Sequence, residues 1–138
     1  MAERNTEYNL AVILAVAETA QLQLSVSTSN PANVSSLPTA PGSGASVVRI
    51  RGTLTVVTAT GGVISVNVRR GEGVNGQIIG ATIKSNGTPV IGQTIPFEVV
   101  DNGSVTTGIP SPCNYTVTTS TVASAGTALL VGEIEAVQ

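Results

Sequence analysis

The chain lacks the residues that most often perform acid–base or nucleophilic chemistry. It contains no histidine, and Cys113 is its single cysteine. A thiol or hydroxyl nucleophile usually needs an adjacent base, most often histidine. Lys84 is the only lysine, and no Ser-x-x-Lys spacing leads to it. We therefore predict that the chain is not an enzyme, and a single cysteine also rules out an intrachain disulfide.

Two pairs of carboxylates stand close together along the sequence. Glu98 and Asp101 fall on opposite faces of one predicted strand by parity, so we do not expect them to converge. Glu133 and Glu135 share a face of the last predicted strand. They would be hard ligands for Ca²⁺, but that ion takes six or more oxygens. Cross-strand pairing with arginines is the favoured interpretation, and no metal or cofactor is predicted.

The segment Gly71-Glu72-Gly73-Val74-Asn75-Gly76 matches the G-x-G-x-x-G pattern of dinucleotide-binding loops. Such a loop must lead into a helix whose N-terminus meets the pyrophosphate. The residues that follow, 77–83, instead have the β-branched pattern of a strand. The glycines are therefore predicted to serve a hairpin loop with positive φ angles.

Four arginines form the only cluster of basic residues in the sequence. Arg49, Arg51 and Arg69 are predicted to point outward from neighbouring strands, and Arg70 follows directly. A nucleic-acid surface would interleave aromatic residues, but these are only 2% of the chain, and the net charge is -2. No nucleic-acid or membrane partner is expected. Because protein interfaces enrich arginine, we predict an interface from Arg4, Arg49, Arg51, Arg69, Arg70, Glu133 and Glu135; solvated charge that protects sheet edges is the alternative.

Alternating apolar and polar residues predict β-strands throughout. Eight strand-like segments are separated by turn signals: Tyr8 to Val16, Gln21 to Ser27, Val47 to Val57, Val63 to Arg69, Gln77 to Lys84, Thr94 to Asp101, Tyr115 to Ser120 and Ala128 to Val137. A helix competes only over Glu3 to Ala20. We predict an all-β, single-domain antiparallel sandwich of about eight strands with the topology of a jelly roll.

The alternation also predicts which side chains form the core. Ten residues are expected to be mainly buried: Val48, Ile50, Leu54, Ile64, Val66, Val68, Phe97, Val99, Val117 and Leu130.

The chain divides into an N-terminal arm with the first strand, residues 1–20, and a sandwich domain, residues 21–138. The apolar run Leu10 to Ala17 is too short to span a bilayer, and the acidic residues before it do not suit a signal peptide. We therefore expect no export. A long Pro/Ser-rich loop is predicted at residues 27–46. It either docks on a neighbouring subunit, as does the arm from Met1 to Glu7, or is a passive surface loop.

Two segments resemble known structural proteins. The run from Ile64 through Arg69-Arg70-Gly71 to Gly80 resembles phage structural proteins in which a strand ending in Arg-Arg-Gly turns into a second apolar strand. Asn114 to Ser120, followed by Gly126 to Val137, is similar to the last two strands of jelly rolls in capsid decoration proteins and in TNF/C1q-like trimers. The resemblance implies a jelly-roll fold and a role on a particle, and it carries over no site.

The functional prediction is a structural virion protein, a capsid decoration or cement protein of a phage or virus. It would be made in the host cytoplasm and bind the major capsid protein on the outer shell as a homo-oligomer, dimer or trimer. Many weak contacts repeated by symmetry would stabilise the shell. The alternative is a TNF/C1q-like oligomeric module that recognises a receptor or glycan.

Overall fold

The computed structural model describes residues 3–27, 39–41, 47–58, 61–71, 73–101, 113–122 and 126–137. These residues form two packed β-sheets and no α-helix. The strands are β1 (Glu3–Leu14), β2 (Thr19–Ser27), β3 (Thr39–Pro41), β4 (Val47–Val56), β5 (Ile64–Arg70), β6 (Gln77–Ile78), β7 (Ile83–Lys84), β8 (Thr94–Asp101), β9 (Cys113–Thr121) and β10 (Gly126–Val137). The predicted all-β sandwich is confirmed. The alternative prediction of a helix over Glu3 to Ala20 is wrong, because these residues contribute to β1 and β2.

The chain passes repeatedly from one sheet to the other. The four-stranded sheet has the order β1-β10-β4-β8, and the six-stranded sheet has the order β3-β2-β9-β5-β6, with β7 also paired to β5. All pairs are antiparallel except the short β2–β3 pair. The chain therefore crosses from one sheet to the other at β1–β2, β3–β4, β4–β5, β7–β8, β8–β9 and β9–β10, as in a jelly roll.

The core lies between the sheets and is aliphatic. All ten residues predicted to be buried are buried, and β8 alternates between exposed and buried along its length. That alternation also confirms that Glu98 and Asp101 lie on opposite faces. β1 buries Tyr8, Val12 and Leu14, whereas Ile13 between them is exposed. The alternation of apolar and polar residues in the sequence thus identified which face of each strand packs against the core.

Two glycines face each other in the middle of the four-stranded sheet. Gly52 of β4 pairs with Gly132 of β10, which pairs on its other side with Tyr8 of β1. A Cβ on Gly132 would collide with the carbonyl oxygen of Arg51 and lie 2.5 Å from the Tyr8 hydroxyl. The missing side chains let Tyr8 reach across β10 and donate a hydrogen bond to the Arg51 carbonyl oxygen at 2.9 Å. Burial raises the pKa of Tyr8, and the Glu133 carboxylate raises it further, so the hydroxyl stays protonated.

Several predicted boundaries differ from the structure. Gln77 to Lys84, predicted as one strand, is two short strands, because Gly80 adopts φ +71° between them. Glu3 to Glu7, expected as an arm that reaches a neighbour, pair with residues of β10 as the first half of β1. Most of the predicted loop 27–46 lies outside the described residues, and Thr39–Pro41 within it form β3. No helix in the described ranges is long and apolar enough to cross a membrane.

Candidate functional site

The two sheets have very different outer surfaces. On the six-stranded sheet, Asn67, Thr116 and Thr118 point away from the core and are nevertheless buried. They are covered by the β1–β2 connection and by residues 71 and 73–76. We call this surface the covered face. On the four-stranded sheet the outward side chains are half-buried or exposed, and we call this surface the open face.

Glu18 and Arg69 close one part of the covered face. Arg69 donates from Nε and Nη2 to the two carboxylate oxygens of Glu18, each at 2.9 Å. Its Nη1 donates to the Gly76 carbonyl at 2.6 Å, and Thr118 also donates to Glu18. The hydrogen bond from Arg69 lowers the pKa of Glu18, against a smaller opposing effect of burial. All three guanidinium nitrogens of Arg69 are therefore engaged within this chain.

The glycine-rich segment closes another part of the same face. Gly71 and Gly73 have φ angles of +123° and +66°, which are strained for other residues. Residues Gly73–Asn75 form a 3₁₀ turn, and Thr116 accepts from the Gly73 amide at 3.1 Å while donating to the Gly71 carbonyl at 2.7 Å. The segment leads into the short strand β6 and not into a helix, which confirms the hairpin interpretation of this motif.

A third cluster joins the two sheets at one end of the sandwich. Arg70 of β5 donates to both carboxylate oxygens of Asp101 at the end of β8, at 2.5 to 2.9 Å. Tyr115 of β9 donates its hydroxyl to Asp101 at 2.5 Å. Asp101 and Tyr115 are buried, so the charge of Asp101 is balanced by Arg70 inside the protein. We call these three residues the cross-sheet cluster.

The open face carries a ladder of opposite charges. Arg51 lies between Glu133 of β10 and Glu98 of β8 in register, and Arg49 lies beside Glu135. Arg51 donates from Nε to Glu133 at 2.5 Å and lies 3.7 Å from Glu98, and Arg49 bonds Glu135 at 3.1 Å. The bond with Glu133 raises the pKa of Arg51. Unlike Arg69, Arg51 leaves 39% of its side chain exposed, so this ladder remains accessible to a partner.

Away from the charged ladder and the exposed Glu7, the open face carries a row of apolar side chains. Leu129 and Val131 of β10 are more than one third exposed, and Ile13 of β1 is two thirds exposed. Leu129 and Val131 alternate with buried residues of β10, and Ile13 lies between buried Val12 and Leu14 of β1, so all three point outward. The register partners of Leu129 and Val131 are Ala11 and Asn9 on β1 and Thr55 and Thr53 on β4, and the partner of Ile13 is Thr127 on β10. An aliphatic patch therefore lies directly beside the charged ladder.

A shallow depression of about 670 Å³ lies where the charged and apolar parts of the open face meet. Its lining includes Glu7, Asn9, Arg51, Thr53, Glu98, Val131 and Glu133. These groups can accept and donate hydrogen bonds, but they offer no nucleophile paired with a base. Within the described ranges, no three Asp, Glu, His or Cys residues are placed to hold a metal ion. The geometry suits contact with another protein surface.

The predicted interface residues are divided between the two sheets. Arg49, Arg51, Glu133 and Glu135 come together on the open face, as the cross-strand interpretation of the glutamates required. Arg69 lies in the other sheet, so its placement on a strand neighbouring Arg49 and Arg51 was wrong. Arg70 is engaged in the cross-sheet cluster. Arg4 lies in β1. The aliphatic row of β10 was missed, although the outward parity of Leu129 and Val131 was visible in the sequence.

No protein-family model matches the chain, and no curated protein matches it significantly. One solved structure is similar over 99% of this chain and 91% of its own, with a TM-score of 0.53 and 16% sequence identity. It comes from Bacillus endospore appendages, described as a novel family of disulfide-linked pili. At this identity the likeness concerns the fold alone.

Proposed function

We propose that this chain is a non-enzymatic structural subunit that associates with further copies of itself through the open face. The observation that carries the proposal is the difference between the two outer surfaces. Loops and paired side chains cover the outer face of one sheet, whereas the other exposes an aliphatic row beside a charged ladder.

The composition of the open face resembles that of a protein interface. Interfaces commonly have an apolar core, a polar rim and an excess of arginine. Here Leu129 and Val131 would supply the core, and Arg49 and Arg51 with their glutamates would supply part of the rim. Because both charges of each pair are present on one copy, a second copy could exchange partners with it across a symmetric contact.

The structural neighbour supports an assembling subunit over a soluble monomer. Its protein forms pili, and the shared fold extends over nearly the whole of this chain. The disulfide linkage described for that family is not part of the proposal, since this chain contains one cysteine. What we carry over is the use of a subunit with a similar fold as the building block of an assembly.

Decoration of a capsid shell is a second proposal, and the jelly-roll order of the strands favours it. In that case the open face would bind a major capsid protein on the virion surface, and the subunit would act as a dimer or trimer. Purified protein distinguishes the two proposals: self-assembly needs no shell, whereas a decoration protein requires one to form an extended array.

The test is sedimentation velocity across a concentration series, with Leu129→Lys and Ile78→Lys as matched variants. Both residues are aliphatic and similarly exposed, at 37% and 36%, but Ile78 lies on β6 in the other sheet. A lysine placed in an apolar contact must be desolvated, so Leu129→Lys is expected to weaken self-association by about tenfold or more. Ile78→Lys should associate as the unmodified chain does.

Equal association by all three proteins, with unchanged thermal melting, would remove the open face from the proposal. A chain that stays monomeric alone but binds shells saturably would favour decoration instead. Tight binding to a soluble receptor, with neither assembly nor shell binding, would favour the TNF/C1q-like alternative.

A further inference from the structure

The aliphatic side chains with the highest exposed fractions are concentrated at one end of the sandwich. In the described part of the chain, six large aliphatic residues are more than half exposed: Ile13, Val16, Val57, Val90, Ile91 and Val122. The register places the end of β1 beside the start of β10, the end of β4 beside β10 and β8, and the end of β9 beside the start of β5. All six residues therefore lie at or near the same end, which we call the apolar end.

The apolar end is almost free of charge. Among the connecting residues that the structure describes at this end, 15–18, 57–58, 61–63, 85–93 and 122, Glu18 is the only charged one. Glu18 is turned onto the covered face, where Arg69 binds it. Lys84 stands just before residues 85–93. The arginine pairs and the cross-sheet cluster occupy the middle and the opposite end of the strands.

One exposed part of this end is held by hydrogen bonds. Val90 and Ile91 form the tip of the β7–β8 connection and are 67% and 66% exposed. The Gly92 amide donates to the Val56 carbonyl at 2.8 Å, and the Gln93 amide donates to the Val90 carbonyl at 3.0 Å. The Gln93 side chain accepts from the Val90 amide at 3.1 Å. An ordered tip loses little conformational entropy when it docks.

We propose that the apolar end is a second docking surface and that its occupant is the apolar end of a second copy of this chain. The chain carries a net charge of -2, and a nearly uncharged end can meet its own copy without desolvating carboxylates. A two-fold contact would place Val90 and Ile91 of each copy against the aliphatic residues of the other. An anionic membrane surface fits less well, because only Lys84 flanks the patch.

This contact does not rest on the open-face proposal, although the two surfaces are continuous at Ile13. A subunit with two separate self-contacts would extend into a chain of subunits, whereas either contact alone would give a closed oligomer. The two surfaces can be disrupted separately, so the failure of one leaves the other testable.

The experiment measures dimerisation of the Leu129→Lys variant, which isolates the apolar end, by sedimentation equilibrium. Adding Ile91→Asp should raise the dimer dissociation constant by about tenfold or more, since a carboxylate would be buried against aliphatic side chains. Adding Ile78→Asp at the opposite end should leave it unchanged. Thermal melting checks that each variant is folded.

Equal dimerisation of the Ile91→Asp and Ile78→Asp variants would overturn the proposal. A Leu129→Lys protein that stays monomeric at several hundred micromolar while folded would overturn it as well. Co-sedimentation with phosphatidylcholine vesicles that is abolished by Ile91→Asp, without dimerisation in solution, would assign the end to a lipid surface and equally contradict the proposed contact.

Discussion

Strands β4 and β5 each carry a pair of arginines, and the two strands use them in opposite ways. Arg69 and Arg70 of β5 bind Glu18 and Asp101 through paired hydrogen bonds and are largely enclosed. Arg49 and Arg51 of β4 bind Glu135 and Glu133 but leave more than one third of each side chain exposed. The same residue type thus stabilises the fold on one sheet and remains accessible on the other.

The difference follows from what lies over each strand. The β1–β2 connection and the glycine-rich loop supply Glu18 and backbone carbonyls that fold over β5. No segment of the described ranges covers β4 in the same way. A charged pair in low dielectric becomes costly to break, whereas a solvated pair contributes little to folding. The comparison therefore predicts large stability effects at β5 and mainly assembly effects at β4.

The largest expected effect comes from Asp101→Asn in the cross-sheet cluster. The change removes a buried carboxylate and leaves the Arg70 charge without its partner, so we expect the free energy of unfolding to fall by about 3 kcal/mol. Urea denaturation monitored by circular dichroism measures this. A loss below about 1 kcal/mol would mean that the cluster behaves like a surface pair.

A second large effect is expected under the open face at Gly132→Ala. The added methyl group collides with the Arg51 carbonyl and displaces the Tyr8 hydroxyl, which should cost about 2 kcal/mol through overpacking. Tyr8→Phe is the matched variant, because it removes only the hydrogen bond to Arg51 and should cost about 1 kcal/mol. If Gly132→Ala is as stable as the unmodified chain, the glycine pair is not needed to accommodate Tyr8.

Glu18→Gln tests the covered face through its pH dependence. The folded protein lowers the pKa of Glu18, chiefly through the hydrogen bond from Arg69. A lowered pKa contributes stability above the ordinary carboxyl value of 4.5, and that contribution is lost as the pH falls through the lowered value. We expect Glu18→Gln to be about 1 kcal/mol less stable at pH 7, given partial solvent screening.

The same variant should approach the unmodified chain in stability as the pH falls towards 2. Unfolding free energies measured at pH 7, 4 and 2.5 would reveal the convergence. If the difference in unfolding free energy between the two proteins does not change with pH, the charge of Glu18 is not what stabilises the fold.

The smallest stability effect is expected for Arg51→Gln on the open face. Because its ion pairs are exposed to solvent, they should contribute little to folding. Instead, the change should weaken self-association and reduce its dependence on salt, because Arg51 would meet carboxylates of a second copy. Sedimentation at 50 and 500 mM NaCl measures both. A large loss of stability with unchanged association would mean that Arg51 stabilises the fold, as Arg69 and Arg70 do, and does not contribute to assembly.

Parity along the strands explains what could be predicted from the sequence. The alternation of β4, β5 and β8 identified the core residues correctly because side chains of a strand point to opposite faces in turn. The same rule placed Glu133 and Glu135 on one face, next to arginines. Gln77 to Lys84 was misjudged because a positive φ angle at Gly80 interrupts an otherwise strand-like pattern.

Sheet membership could not be predicted in the same way. Arg49 and Arg69 both point outward from strands close in sequence, but β4 and β5 belong to different sheets. Parity gives the face of a strand and not its neighbours, so the long-range pairs Arg69–Glu18 and Arg70–Asp101 were not visible. The covered face depends on loops that fold across a sheet, and their paths have no periodic signal.

Carboxyl footprinting before and after self-association tests the central claim most directly. Carbodiimide labelling at low and high protein concentration, followed by mass spectrometry, reports the accessibility of each glutamate. Glu98 on the open face, 55% exposed, should be labelled in the dilute protein and protected after association. Glu18 on the covered face, bound to Arg69, should be labelled weakly and equally in both states. Association that leaves Glu98 fully labelled would contradict the assignment of the open face as the assembly surface.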